Sequence, residues 1–314
     1  MGRILSRRVV LAGKAETTEG TAVALAGADA NNLIMDPKFN ADIQMFRRKF
    51  LNNSLSPQGQ IATTRGAAIS FMLEVKGSGT PGTAPTSGKY LKACGFGETV
   101  SAGVSVTYAP ISALASIPTM TMAIYRDGLS KLMKGARGNL KYSGKSDEIG
   151  LFEFEFIGVD VDVTDVAIPT PSGVESTVPF PLLSAAFSVA GFSAIISQLT
   201  FDMANVLERR GDINQPSGFI STLLTDREPK GSFDPEDELV ATHDFYGRWK
   251  GNTTGLVTWK HGNQAGNIVT FTVPKAQYIK IAESDRNGIA TLSTDFLMQR
   301  NTTAGDDEVS IVFT

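Results

Sequence analysis

The 314-residue chain is 42% hydrophobic and 19% charged with a formal net charge of −3, a globular composition that excludes a general polyphosphate-neutralising nucleic-acid binder. One cysteine, Cys94, excludes an internal disulfide and suits a reducing cytoplasm, and with only His243 and His261 beside it little remains for a zinc site. No run approaches the roughly 18 apolar residues of a membrane helix.

In chain order, residues 1–13 carry Arg3, Arg7 and Arg8. The stretch is too short for a signal peptide and reads as a free basic arm. Met1-Gly2 with Ser6 matches a myristoylation pattern, which reads as chance. Residues 40–64 are long and rich in charged and amide side chains, as are residues 202–226. Each predicts a hairpin arm that leaves its own domain and presents strand edges for another chain. The Gly/Pro/Thr/Ser run over 76–88 reads as an irregular loop, and residues 89–94 as a short helix. Met120, Met122 and Ile124 share one face of a strand, with Thr119 and Thr121 on the other. Phe152, Phe154 and Phe156 alternate with Glu153 and Glu155, and Val269, Phe271 and Val273 with Ile268, Thr270 and Thr272. Such period-two patterns predict antiparallel strands with one apolar face. Asp127-Gly128 and Asn287-Gly288 predict tight hairpins. A second helix is expected over 238–250, where Leu239, His243, Tyr246 and Trp249 keep helical spacing.

The chain also repeats itself. A shift of 162 positions carries Phe39 onto Phe201, Arg47-Arg48 onto Arg209-Arg210, Thr63 onto Thr225, Arg65 onto Arg227 and Phe71 onto Phe233, without a gap. A shift of 140 carries Ala136 onto Ala276, Ile149 onto Ile289 and Phe156 onto Phe296. The change of shift places extra residues between 71 and 136 of the first copy, with the 76–88 loop as the candidate. Between the copies lies a proline-rich stretch that breaks regular structure. The expected organisation is a first domain over 1–166, a linker over 167–181 and a second domain over 182–314. Both are mainly β, each with about one flanking α-helix and one long hairpin arm.

Signals for chemistry are weak. Asp160-Val-Asp-Val-Thr164 after an apolar strand matches an aspartate-nucleophile phosphatase pattern, but that chemistry needs a parallel α/β sheet, and the chain lacks the alternating helices. It reads as a strand end entering solvent. The acidic run over 234–238 lacks calcium-loop spacing and reads as the acidic start of the following helix. His243 and His261 fall in different elements, and Cys94 reads as a small buried residue. No enzyme activity, cofactor or metal is expected.

Several ordered motifs resemble those of the tail tube proteins of long, non-contractile-tailed bacteriophages. They are Ala15-Glu-Thr-Thr-Glu-Gly-Thr-Ala-Val-Ala-Leu25, Gly77-Ser-Gly-Thr-Pro-Gly-Thr-Ala-Pro85, Leu91-Lys-Ala-Cys-Gly-Phe96, Thr99-Val-Ser-Ala-Gly-Val-Ser-Val-Thr-Tyr108, Lys134-Gly-Ala-Arg-Gly138, Thr225-Asp-Arg-Glu-Pro-Lys-Gly-Ser232, Gly266-Asn267-Ile268 and Gly305-Asp-Asp-Glu-Val309. The resemblance implies β-sandwich or barrel units whose sheets join between subunits around a channel. It also implies stacked rings that enclose the tape-measure protein and conduct DNA without specific binding. Tail-tip and tail-terminator proteins are implied partners, and the virion tail, assembled in the bacterial host cytoplasm, is the implied location. Related single-unit subunits form hexameric rings, so two fused units imply a homotrimeric, pseudo-hexameric ring.

Within that frame Arg47, Arg48, Arg209 and Arg210, with Arg65 and Arg227, are candidate contacts to adjacent subunits or rings. Replacing Arg209 and Arg210 with glutamate is then expected to block polymerisation and leave the monomer folded. Glu153 and Glu155 are candidates for a mildly acidic channel lining. A β-rich host-binding tail or adhesin module, and a tube protein of a bacterial contractile or secretion system, are the alternatives; the duplication and the motifs favour the phage tail.

Overall fold

The structure is a computed structural model that describes residues 4–314; Arg3 and the Met1-Gly2 pattern lie outside the described residues. The first half of the chain forms β1 (Val9–Ala15), β2 (Met35–Arg47), β3 (Gln60–Glu74), α1 (Gly88–Ala93), β4 (Phe96–Ser101), β5 (Ser105–Pro110), β6 (Met120–Arg126), β7 (Leu129–Lys145), β8 (Leu151–Asp160) and β9 (Thr164–Asp165). The second half forms β10 (Ser188–Val189), β11 (Ile196–Asp202), β12 (Asn205–Gly211), β13 (Phe219–Arg227), β14 (Lys230–Pro235), α2 (Phe245–Lys250), β15 (Gly255–His261), β16 (Val269–Arg286), β17 (Ile289–Met298) and β18 (Ser310–Phe313). The chain is mainly β, and every strand pairing among the described residues is antiparallel.

The main sheet runs β2-β3-β8-β7-β11-β14-β17-β16. Its first four strands come from one half and its last four from the other, in matching order. The seam is the β7–β11 pair, with Gln198 opposite Lys145, Thr200 opposite Ser143 and Asp202 opposite Lys141. The long strands β7 and β16 then bend away and carry a second layer. β6 and β1 pair beside β7, while β15, and β18 followed by β5 and β4, pair beside β16.

Alternation in the sequence dictates the core between the layers. Phe152, Phe154 and Phe156 point inward and are buried, while Glu153 and Glu155 point out. Val269, Phe271 and Val273 are buried in the same way. Full burial of each such side chain stabilises by about 1.5–3 kcal/mol. One apolar cluster spans both halves: Tyr142 of the first stacks on Phe201 of the second at 5.3 Å, and Trp259 lies parallel to Phe271 at 4.8 Å. β6 departs from the one-faced pattern. Thr119 and Thr121 are buried too, because both hydroxyls donate to the Glu16 carboxylate.

Two cross-strand glycines are covered by phenyl rings. A Cβ at Gly138 would meet Phe156 ring atoms at 2.7 Å, and one at Gly231 would meet Phe296 at 2.3 Å. Both rings are buried and have nowhere to retreat. Gly231→Val is expected to cost about 1–3 kcal/mol by overpacking, measured as a lowered urea midpoint with unchanged slope.

Both expected tight turns form. Asp127-Gly128 joins β6 to β7 and Asn287-Gly288 joins β16 to β17, all four residues at positive φ as such turns require. The second helix is shorter than expected. Asp244 accepts from the Gly247 N–H at 2.6 Å and so starts the helix there, and Leu239 and Val240 are exposed in the segment before it. The acidic run does not start the helix. Asp234 and Glu236 instead receive Arg286 at 3.1 and 3.0 Å.

The extra residues of the first half also lie elsewhere than the 76–88 loop. Residues 94–119, with the β4–β5 hairpin, stand where the second half has only 251–254. β5 pairs with β18, so the second half completes a sheet that the first half's insertion extends. The 167–181 stretch is a strap across the surface, pinned where Ser172 donates to Gly27 and Glu175 accepts from Thr86.

Candidate functional site: two hairpins and two open edges

The two hairpin arms have the same register. Ile43 faces Arg65 and Arg47 faces Gln60 in the β2–β3 arm; Asn205 faces Arg227 and Arg209 faces Thr222 in the β12–β13 arm. Each pair maps onto its counterpart by the 162-residue shift.

Their surroundings differ sharply. The second arm lies on the first half of the chain. Thr222 is 0% exposed; its hydroxyl donates to the Ile157 carbonyl at 2.9 Å and its carbonyl accepts from Arg137 at 2.5 Å. Asn205 donates from its backbone to the Asn139 side chain at 3.0 Å and from its amide to the Cys94 and Gly138 carbonyls. Among the described residues the first arm has no such seat. Ile43, Met45, Phe46 and Ile61 are all exposed, Phe46 by 62%.

The arginines divide accordingly. Arg209 reaches Asp42 at 2.5 Å and the Gly158 and Ala67 carbonyls at 3.0 and 3.2 Å, with its guanidinium over Gly66. The hydrogen bond from Arg209 holds the Asp42 carboxyl below its ordinary range. Arg227 binds Asp306, Glu308 and the Ile111 carbonyl, and Arg65 binds Asp162 at 2.9 Å. All three arginines are thus paired inside the chain: Arg209 and Arg227 reach the first half because the second arm folds back onto it, and Arg65 pairs with a carboxylate of its own half. Arg209→Glu would therefore damage the monomer, unlike the folded but unpolymerised outcome expected from sequence. Arg48 stacks on Phe50 of its own arm at 4.9 Å. Among the described residues, Arg47 and Arg210 make no hydrogen bond or ion pair.

The outward face of the main sheet carries Glu153 and Glu155. Across the strands Glu153 faces Lys141, which faces Asp202, which faces Lys230; Asp295 faces Lys280. Lys141 lies 3.9 Å from Glu155 and 3.8 Å from Asp202. The face is of mixed sign where the sequence suggested an acidic one, because strands between and beyond the glutamates bring lysines beside them.

The main sheet ends in two open edges. One is the outer side of β2; the other is β16 beyond Ala276, which pairs with β17 alone. An unpaired antiparallel edge offers backbone donors and acceptors to a further strand. Among the described residues no group of histidine, cysteine and carboxylate side chains could hold a metal ion, and no helix is long and apolar enough to cross a membrane. Asp160 and Asp162, the phosphatase-like pair, sit at the end of an antiparallel strand with Asp162 committed to Arg65.

The family described as phage tail tube protein matches residues 6–309, nearly the whole length. The chain belongs to the phage tail tube family. It is therefore a structural tail tube protein of the virion tail that self-assembles into a tube. A comparison with curated proteins finds no match. For a tail tube subunit, the open sheet edges and the exposed first arm are surfaces that offer backbone and apolar contacts to another chain. Sequence reading missed Arg137, Asn205 and Thr222, which seat the second arm. The available signal was Arg137 itself, a lone arginine among small residues in a buried strand.

Proposed function

We propose that this tail tube protein consists of two fused tube units, one on either side of the 167–181 strap, and that three chains close a pseudo-hexameric ring. The observation that supports this reading is the β7–β11 seam. β16 is the counterpart of β7, and β2 is the counterpart of β11. The two open edges are therefore the two halves of a second seam that one chain cannot make with itself. Joining β16 of one chain to β2 of the next repeats the internal geometry and closes with rotational symmetry. Beyond the bulge between Tyr278 and Lys280, the correspondence sets Asp36 opposite Arg286, as Gln198 stands opposite Lys145.

In this reading the mixed-sign face with Glu153 and Glu155 lines the channel, the stacked rings enclose the tape-measure protein, and DNA passes without being gripped. The tail-tip and tail-terminator proteins cap the two ends. Assembly takes place in the host cytoplasm. Negative-stain microscopy with native mass measurement tests it. Rings or tubes built of three 33.5 kDa chains per ring are expected; six chains per ring would overturn the fused-unit count, and absence of rings would overturn the seam.

A further inference from the structure

We propose that Arg47 and Ile43 of the first arm clamp a second copy of this chain, with Glu228 and Ile279 of that copy as their seat. The proposal rests on the ring reading above and goes beyond it to particular side chains.

The second arm shows what a seated arm does, and the shifts say where the first arm's contacts must fall. Within the chain, Asn205 meets Asn139, the two joined by a 3.0 Å hydrogen bond. The counterpart of Asn205 is Ile43. The counterpart of Asn139 across the ladder is Lys280, which faces Asp295 as Asn139 faces Glu155, and Ile279 is the extra residue of the bulge directly before it. Ile43 is 43% exposed and Ile279 41% exposed. Two exposed apolar side chains thus stand on the two open surfaces, close to where a seated first arm would bring them together, and burying them against each other would favour the contact.

The arginine's surroundings differ between the halves. Arg209 lies over Gly66, where even a Cβ would come within 2.3 Å of the guanidinium carbon, and its carboxylate partner is Asp42. In the second half the counterpart of Asp42 is Ala204, which carries no charge, while the counterpart of Gly66 is Glu228. The Glu228 side chain is 66% exposed, and its one ion pair among the described residues is with Lys230, at 3.1 Å. The carboxylate has moved from one side of the arginine's place to the other. Arg47, the counterpart of Arg209, is exposed and carries no partner among the described residues. Glu228 carries the Cβ that Gly66 lacks, so Arg47 would sit further from the strand than Arg209 does and meet the Glu228 carboxylate rather than the backbone beneath it. Charge-assisted bonds of this kind fix orientation and register between copies.

The test is charge reversal read by sedimentation velocity and microscopy. R47E and E228R should each raise the concentration needed for ring formation by about tenfold or more, with the urea midpoint of the subunit unchanged. The double variant R47E/E228R should recover assembly. R210E, on the arm already seated inside the chain, should assemble as the parent does. Ile43→Cys with Ile279→Cys in one chain gives an independent reading: a regular ladder of disulfide-linked oligomers when the folded protein is oxidised, and no such ladder when it is oxidised in denaturant. If the parent chain forms rings but R47E forms them equally well, or the double variant fails to recover, the clamp is wrong and the ring reading stands. If the parent forms no rings, both fall.

Discussion

Arg137→Ala is expected to destabilise the subunit by about 3–5 kcal/mol. Arg137 sits at a bulge of β7 with 2% of its surface exposed. Its guanidinium donates to the Ile117 carbonyl at 2.8 and 3.2 Å, to the Thr222 carbonyl at 2.5 Å and to the Leu114 carbonyl at 3.5 Å. Burial pulls its pKa down while Glu19, 3.8 Å away, and Glu16 oppose that pull. Truncation leaves buried carbonyls without donors and opens a cavity beneath the second arm. Urea denaturation gives the loss directly. Hydrogen exchange should show β12 and β13 losing protection first, because Thr222 is their buried attachment. Arg137→Lys keeps the charge but not the planar fork, and should retain only part of the stability. A variant with parental stability and a protected second arm would show that Arg137 is not the anchor.

Acid is expected to weaken the fold between about pH 6.5 and 4, and His261→Phe to remove most of that dependence. His261 is 1% exposed; its Nε2 lies 2.5 Å from the Tyr142 hydroxyl, and its Nδ1 has no partner among the described residues. Burial disfavours the imidazolium and pushes the pKa down to about 4. The unfolded chain takes up the proton near pH 6.5 whereas the folded chain does not. The histidine's contribution is therefore fully present above pH 6.5 and is lost as pH falls through about 4. A depression of this size corresponds to about 3 kcal/mol. Because Tyr142 belongs to the first half and His261 to the second, protonation strikes the packing between them. Denaturant midpoints from pH 7.5 to 4 measure the effect; a flat profile in the parent, or an unchanged slope in His261→Phe, would refute it.

Much of the architecture was legible because strands write their geometry in alternation. Phe152, Phe154 and Phe156 announced an inward face, Asp127-Gly128 and Asn287-Gly288 announced their turns, and the 162-residue shift matched one arm to the other residue by residue. What a pattern cannot carry is which surface a long arm settles on. Arg47 and Arg209 are equivalent in sequence, yet one is without a partner among the described residues and the other is bound over Gly66, and that difference belongs to chain connectivity. The helix before Trp249 was overextended because spacing alone does not register that Asp244 captures the Gly247 N–H. The insertion was misplaced because glycine and proline drew attention to 76–88, whereas the β4–β5 hairpin, with its ordinary strand residues, holds more of the added length. The mixed sign of the face with Glu153 and Glu155 is hidden from sequence for a related reason: the glutamates are visible along one strand, but Lys141 becomes their neighbour only across the ladder.

That crosswise neutralisation has an electrostatic consequence. Adjacent strands lie about 4.8 Å apart, so charges of opposite sign on this face alternate over a distance shorter than the Debye length of about 8 Å at physiological ionic strength. At a separation beyond that length their potentials cancel. A polyanion drawn along the face would neither be repelled by it as a whole nor meet deep, evenly spaced wells. Drag of this kind would depend only weakly on salt, in contrast to a wall carrying one sign of charge.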